Sequence, residues 1–267
     1  MTSVIVCGAA GRMGQLIIRL VAAEPEATVV GAVEAPGHQS IGQDAGTLCG
    51  VGALGVLITD TYAPTADTVT CDFTAPAAAL AHIEQAAAAG GAVVVGTTGF
   101  SADERTRAET AARRTRAVIA PNMSVGVNVL DSLVGAAARA LGSQFDIEIM
   151  EIHHRHKRDA PSGTALKLGE TAAAAGGGNF AERARFGREG EPGARTDEEI
   201  GVFGLRGGDA IGDHTVLFLG TGERIELTHR AQSRECLASG AVRAALWVAD
   251  KPVGLYSMQD VLALNGA

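Results

Sequence analysis

The chain begins with a short apolar run, residues 3–8 (SVIVCG), closed by a glycine. Over 12–24 (RMGQLIIRLVAAE) the apolar residues return at the spacing of one helix face, and 27–34 (ATVVGAVE) is again an apolar run of strand length. The pattern predicts strand, helix, strand. The rhythm continues with strands predicted over 68–74 (TVTCDFT), 92–99 (AVVVGTTG) and 116–124 (RAVIAPNMS), and helices over 76–90 and 101–115. Ser101 followed by Glu104 predicts a capping box at the start of the last of these helices. Strands alternating with helices in this way predict a parallel, doubly wound sheet.

After residue 124 the rhythm changes. A helix is predicted over 125–141 and a strand of partial alternation over 144–154 (QFDIEIMEIHH). A further helix is predicted over 161–175, with Pro161 and Ser162 placed to start it. The polar, glycine-rich stretch 176–199 reads as a mobile connection. Residues 200–209, 214–222 and 223–230 read as an antiparallel meander with glycine-containing turns, and 239–250 and 257–264 return to helix. There is no internal repeat and no low-complexity tail.

Composition narrows the classes. The chain has 267 residues, which allows one or two domains, and it is 46% hydrophobic and 19% charged, enough for a real core. Aromatic residues make up 4% and the net charge is −8, so neither base stacking nor attraction to a polyanion is expected, and no nucleic-acid partner is predicted. Cys7, Cys49, Cys71 and Cys236 are scattered, with no C-x-x-C pair. The first residues already show folded pattern, so no signal peptide is expected, and the apolar runs are read as falling short of a membrane span. A cytoplasmic protein with reduced thiols and no membrane partner is expected.

Two stretches carry chemistry. Gly8, Gly11 and Gly14 form G-x-x-G-x-x-G between the first strand and the first helix, where glycines let the backbone approach a pyrophosphate at a positive helix terminus. Glu34 ends the second strand, where an acid can take ribose hydroxyls. The bland alternative is a tight structural turn beside an edge carboxylate. Two further strand ends, Gly96, Thr97 and Thr98, then Ala120, Pro121, Asn122 and Met123, lie where open α/β sheets place ligand loops; on spacing alone they are as well read as ordinary loops.

The second stretch is 151–165, EIHHRHKRDAPSGTA. As a metal site it would rest on His154 and His156 without a matching second motif, and no metal is predicted. As a solvated charged loop, Arg155, Lys157, Arg158 and Asp159 need no partner. A third reading uses the helix start at Ser162. The Gly163 and Thr164 amides lie in its first turn and can face an anion, Lys157 adds a charge, and His153 and His154 add donors titrating near neutral pH. In a regular strand His153 and His154 would face opposite ways, so both can serve one ligand only if the chain bends there.

Taken together, GAAGRMG, GTTGF, APNMSVGVN and EIHHRHKRDAPSGTA resemble the bacterial 4-hydroxy-tetrahydrodipicolinate reductase (dihydrodipicolinate reductase) family. LRGGDAIGDHTVLF and ERIELTHRAQSR fit its later part, so the resemblance spans essentially the whole chain. It implies reduction of 4-hydroxy-tetrahydrodipicolinate to tetrahydrodipicolinate with NADH or NADPH, in lysine and diaminopimelate biosynthesis. By the same resemblance His153 is a proton donor and acceptor and Lys157 a proton donor, while His154, Gly163 and Thr164 hold a dicarboxylate. The cofactor residues it implies are Gly8, Ala9, Ala10, Gly11, Arg12, Met13, Glu34, Gly96, Thr97, Thr98, Ala120, Pro121, Asn122 and Met123. The implied fold is an N-terminal Rossmann-type parallel sheet plus an α+β domain with a mixed or antiparallel sheet. Residues 1–124 with 234–267 would form the dinucleotide-binding domain, and 125–233 the substrate-binding and oligomerisation domain of a homotetramer. Ala35 after Glu34, where NADPH-tolerant members commonly carry arginine, points to NADH as the preferred cofactor.

Other classes fare worse. A short-chain dehydrogenase needs Tyr-x-x-x-Lys, but Tyr62 and Tyr256 are followed four positions on by Ala66 and Asp260. A non-catalytic NAD-binding sensor or scaffold needs the glycine loop but has no use for His153, Lys157 and the anion turn together.

Overall fold

A computed structural model describes residues 1–264, and the strands and helices below are those of the described residues. Along the chain, β1 (Thr2–Cys7), α1 (Arg12–Ala23) and β2 (Ala27–Val33) are followed by a short α2 (Ala45–Cys49) and β3 (Ile58–Thr59). Then come β4 (Thr68–Asp72), α3 (Pro76–Ala89), β5 (Ala92–Val95), α4 (Ala102–Ala112), β6 (Arg116–Ile119) and α5 (Val125–Leu141). The later part holds β7 (Asp146–His153), α6 (Gly163–Ala175), α7 (Phe180–Arg183), β8 (Ala184–Phe186), β9 (Ile200–Arg206), β10 (Gly212–Leu219) and β11 (Arg224–Ala231). The chain ends with α8 (Glu235–Val248), β12 (Gly254–Tyr256) and α9 (Met258–Val261).

These elements form two compact units, Met1–Val125 with Glu235–Ala263, and Gly126–Arg234. In the first, the strands run in the order β12-β6-β5-β4-β1-β2-β3, all parallel. The order reverses direction at β1, between β4 and β2. Helices cover both faces, so β4 and β5 are buried along their whole length, which is why they read as continuous apolar runs rather than alternating ones. Helix α1 turns Ile17, Ile18 and Val21 fully inward; burial of each such side chain stabilises by roughly 1.5–3 kcal/mol. Pro76 opens α3 and Gly90 closes it at φ 73°, as the fixed φ of proline and the left-handed tolerance of glycine favour. Ser101 and Glu104 do form a reciprocal capping box at α4.

The second unit is a mixed sheet, β11-β10-β7-β9-β8, with α5 and α6 packed on one face. Three readings of the sequence are corrected here. Strands β9, β10 and β11 are not a meander, because β9 pairs parallel with β7 while β10 pairs antiparallel with both β7 and β11. The stretch 176–199 is not only a connection, since it contains α7 and β8, and β8 extends the sheet beyond β9. Finally, Val125–Gln144, at mean hydropathy 1.2, is long and apolar enough by length and composition to span a membrane. Its valines and leucines raise the mean, and its Leu130, Val134 and Ala138 are buried in the core of the unit beside Ile149 and Phe218.

Candidate active site

The carboxyl ends of β1, β2, β4, β5 and β6 lie along one edge of the parallel sheet, the edge at which open α/β sheets bind ligands. Gly8, at φ 74°, leaves β1 with its amide and that of Ala9 bonded to Val33 O. A Cβ on Gly14 would stand 2.1 Å from Gly8 O and 2.8 Å from Ala9 Cα, so only glycine lets α1 start this close to the loop. At Gly11, the N-cap of α1, no side chain caps the helix. Its first-turn amides therefore present the positive helix end, the arrangement that suits a phosphate. Glu34 reaches back to this loop and accepts the Ala10 amide at 2.8 Å and the Ala35 amide at 3.2 Å. Arg12 is exposed and Met13 half-buried in the first turn, while the side chain of Ala9 is wholly buried.

The other two strand ends are placed on the same edge. Gly96 packs against the Phe73 ring, where a Cβ would come within 2.1 Å. Thr98 is exposed, and Thr97 is buried with its hydroxyl donating to Asp72 at 2.9 Å. In the last loop Pro121 is exposed, and Asn122 accepts the Ser124 amide at 2.9 Å. Ala120 and Met123 are buried and can offer a ligand only backbone groups.

Asp72, at the end of β4, has no place in the sequence reading. It is 1% exposed and accepts from the Thr74 amide and hydroxyl at 3.0 and 2.8 Å, from Thr97, and pairs with His82 Nδ1 at 2.6 Å. Cys7, Asp72 and His82 converge within 4.8 Å. The donors around Asp72 already satisfy that carboxylate, and burial, with the charge of Asp72, drives the Cys7 thiol well above its usual range. Asp72 ties the loop residues Thr74 and Thr97 to His82 of α3.

In the second unit the inward face of β7 carries Ile147, Ile149, Glu151 and His153. The strand ends at His153, and the bend that the two histidines require follows at once. Gly207 N bonds His153 O at 3.0 Å, His154 N bonds Ala210 O at 2.7 Å, and Arg155 N bonds Gly208 O at 3.2 Å. His153 is 8% exposed, with Nδ1 2.5 Å from Glu151 Oε2. His154 is half-buried and its Nδ1 accepts the His156 amide at 3.2 Å. Burial, then the charges of Arg234, His156, His153 and Lys157, hold the His154 imidazole below its usual pKa. Lys157 Nζ donates to Asp159 at 2.9 Å.

Ser162 is the N-cap of α6, its hydroxyl accepting from Ala165 N at 3.2 Å and its own amide donating to Glu151 Oε1 at 3.0 Å. Gly163 is exposed, with nothing within 4 Å of the Cβ direction, and Thr164 is half-buried beside it. Through Glu151 the structure ties His153 to the turn holding Gly163 and Thr164, while Lys157 and His154 engage Asp159 and His156. Glu151, Arg206, His214 and Ser162 were missed as site residues. Glu151 left a local trace, a charged residue on the apolar phase of an alternating strand, and Ser162 was legible only as a helix start.

A parallel sheet with a glycine-rich strand-to-helix loop, together with a second unit that carries buried acid–base side chains, defines a Rossmann-type protein that also has an α+β unit. The chain belongs to the dihydrodipicolinate reductase family: its sequence matches the N-terminal part of that family over residues 2–123 and the C-terminal part over 126–262. It is 54% identical over 269 aligned positions to the 4-hydroxy-tetrahydrodipicolinate reductase of Anaeromyxobacter dehalogenans (strain 2CP-C), covering 100% of this chain and 99% of the relative. It is 52% identical to the one of Geobacter metallireducens, covering 99% and 100%. Among solved structures, a dipicolinate-bound dihydrodipicolinate reductase from Paenisporosarcina sp. TG-14 shares the fold over 100% of both chains, with TM-score 0.73 and 24% identity.

Proposed function

We propose that this chain reduces 4-hydroxy-tetrahydrodipicolinate to tetrahydrodipicolinate, with loss of water, in lysine and diaminopimelate biosynthesis. The observation that carries the reading is the hydrogen-bonded chain His153–Glu151–Ser162, which puts an acid–base imidazole and a helix N-terminal anion turn on one network. A reduced nicotinamide dinucleotide supplies the hydride when bound. The uncapped start of α1, the close approach enforced at Gly14 and the position of Glu34 fit such a ligand. Gly8 to Met13 would carry its pyrophosphate, with Glu34, Gly96 to Thr98 and Ala120 to Met123 along its length.

In this reading the residues of the second unit bind the substrate and manage its protons. The Gly163 and Thr164 amides and His154 hold the two carboxylates, which fixes the ring for the reaction. Lys157 and His153 supply and take up the protons that hydride addition and water loss require. Pyridine-2,6-dicarboxylate, planar and doubly anionic, is expected to inhibit competitively against substrate; the dihydrodipicolinate reductase structure from Paenisporosarcina sp. TG-14 is dipicolinate-bound.

Glu34 would accept the ribose hydroxyls of NADH and repel a 2′-phosphate, and Ala35 offers no compensating cation, so NADH is the preferred cofactor. The outer face of the mixed sheet, with Met150, Ile152 and Leu205 exposed, supports assembly through that sheet into a homotetramer. Four free cysteines fit a reducing cytoplasm. The test is dinucleotide oxidation by the purified protein. Oxidation that depends on the cyclic substrate supports the reading; tight NADH binding without turnover would return the chain to the sensor or scaffold class.

A further inference from the structure

We infer that Glu151 is the positioning residue of the acid–base centre, acting through His153; the inference rests on the reductase reading above. Glu151 is 0% exposed, and a carboxylate so buried persists only with donors on its oxygens. It has four. His153 Nδ1 at 2.5 Å and Arg206 Nη1 at 2.8 Å meet Oε2, while Arg206 Nη2 at 2.8 Å and the Ser162 amide at 3.0 Å meet Oε1. Burial alone would raise the Glu151 carboxyl, but the hydrogen bonds and charges of Arg206 and His153 outweigh it and hold it below the usual range. The group is an anion in place.

The geometry then decides which nitrogen of His153 works. An ionised acceptor at 2.5 Å keeps the hydrogen on Nδ1, so in the neutral ring the lone pair sits on Nε2. That nitrogen faces Gly212, where a Cβ would stand 2.9 Å away; glycine keeps the space beside it. The groups around the ring are Glu151 on its own strand, Arg206 on β9, His214 edge-on at 5.2 Å on β10, and His154 and Lys157 on the following loop. Arg206 has a second effect. Its bidentate pairing cancels a negative charge that would otherwise repel a dicarboxylate at the nearby turn. Because the same carboxylate accepts the Ser162 amide, it fixes the imidazole and the start of α6 against each other.

The test is a double-mutant cycle with a direct spectroscopic arm. Glu151→Gln is expected to lower kcat at least tenfold and by up to roughly 10⁴, the cost of replacing the carboxylate that orients an acid–base histidine by its amide in a serine-protease triad, with the NADH dissociation constant unchanged. In a His153→Ala background the same change is expected to lower kcat no further, because its effect on turnover passes through the imidazole, while any loss through the Ser162 amide is read in the substrate KM. A wild-type kcat in Glu151→Gln, or a loss that multiplies with that of His153→Ala, overturns the inference while leaving the reductase reading intact. Wild-type turnover in His153→Ala overturns the role given to His153, and this inference with it; an unmodified protein that never turns over overturns the reductase reading itself. Should Glu151→Gln fail to fold, nitrogen-15 spectra of the unmodified protein decide, using the imidazole signal that His153→Ala removes. A neutral ring protonated at Nδ1 is expected, and one protonated at Nε2 overturns the inference.

Discussion

The Ser162 hydroxyl lies 3.0 Å from Nε2 of His214, and both side chains are buried, at 2% and 3% exposure. Burial first, and then the charge of His153, push the His214 imidazole down to about 4. The ring therefore stays neutral under the start of α6 at pH values where an unfolded chain would protonate it.

This sets a direction for stability against pH. Above about pH 6.5 the ring is neutral folded and unfolded, and contributes no slope. As pH falls from about 6.5 to 4, the unfolded chain takes up a proton that the folded one refuses, so stability falls, by on the order of 3 kcal/mol in all. His214→Gln is expected to flatten that limb of the urea-unfolding midpoint between about pH 7 and pH 5. Equal slopes in both proteins would show that His214 is not the group responsible.

Two glycines are expected to respond in opposite ways. Gly14→Ala drives a Cβ into the Gly8 carbonyl, so the loop must shift, and a tenfold or greater loss of NADH affinity is expected together with roughly 1–3 kcal/mol of stability. Gly163→Ala meets nothing and replaces the poorest ordinary helix former, so stability is expected to hold or rise by up to about 1 kcal/mol. Its effect is expected in the substrate KM, upward, because the added methyl intrudes where a carboxylate approaches the turn. An unchanged KM removes the anion role of that turn.

Lys157→Ala is expected to lower kcat by roughly 10² to 10⁴, the range for loss of a general acid. Stability is expected to move little, since its pair with the 61%-exposed Asp159 side chain belongs to a class worth about 0–1 kcal/mol. Turnover close to that of the unmodified protein would sink the assignment.

Ala35→Arg is expected to move preference toward NADPH. Glu34 is held by the Ala10 and Ala35 amides, so it cannot swing away from a 2′-phosphate without releasing the loop. A charge-assisted pair from the new arginine is worth on the order of 1.5–3 kcal/mol, roughly ten- to a hundredfold in affinity. The measurement is kcat/KM for both cofactors at fixed ionic strength. A higher value for NADPH in the unmodified protein would mean that the missing arginine does not decide the preference.

The sequence by itself determined the parallel α/β unit, the glycine loop, the capping box at Ser101 and the start of α6 at Ser162. Each is written in residues adjacent along the chain, through a repeat of apolar positions, a cap or a turn requirement, and such signals are local. Strand partnership is not. Nothing within 200–206 says that β9 lies parallel to β7, and nothing in 254–256 says that β12 closes the sheet beside β6. The same holds for the polar networks. Arg206 reaches Glu151 across 55 positions, and His214 reaches Ser162 across 52. The sequence marked His153 and Lys157 as candidates, but only the tertiary structure placed a charged carboxylate beneath the histidine and a guanidinium beside that carboxylate. An ion buried in a sheet must find its donors wherever the chain returns, and burial is a property of the packed molecule.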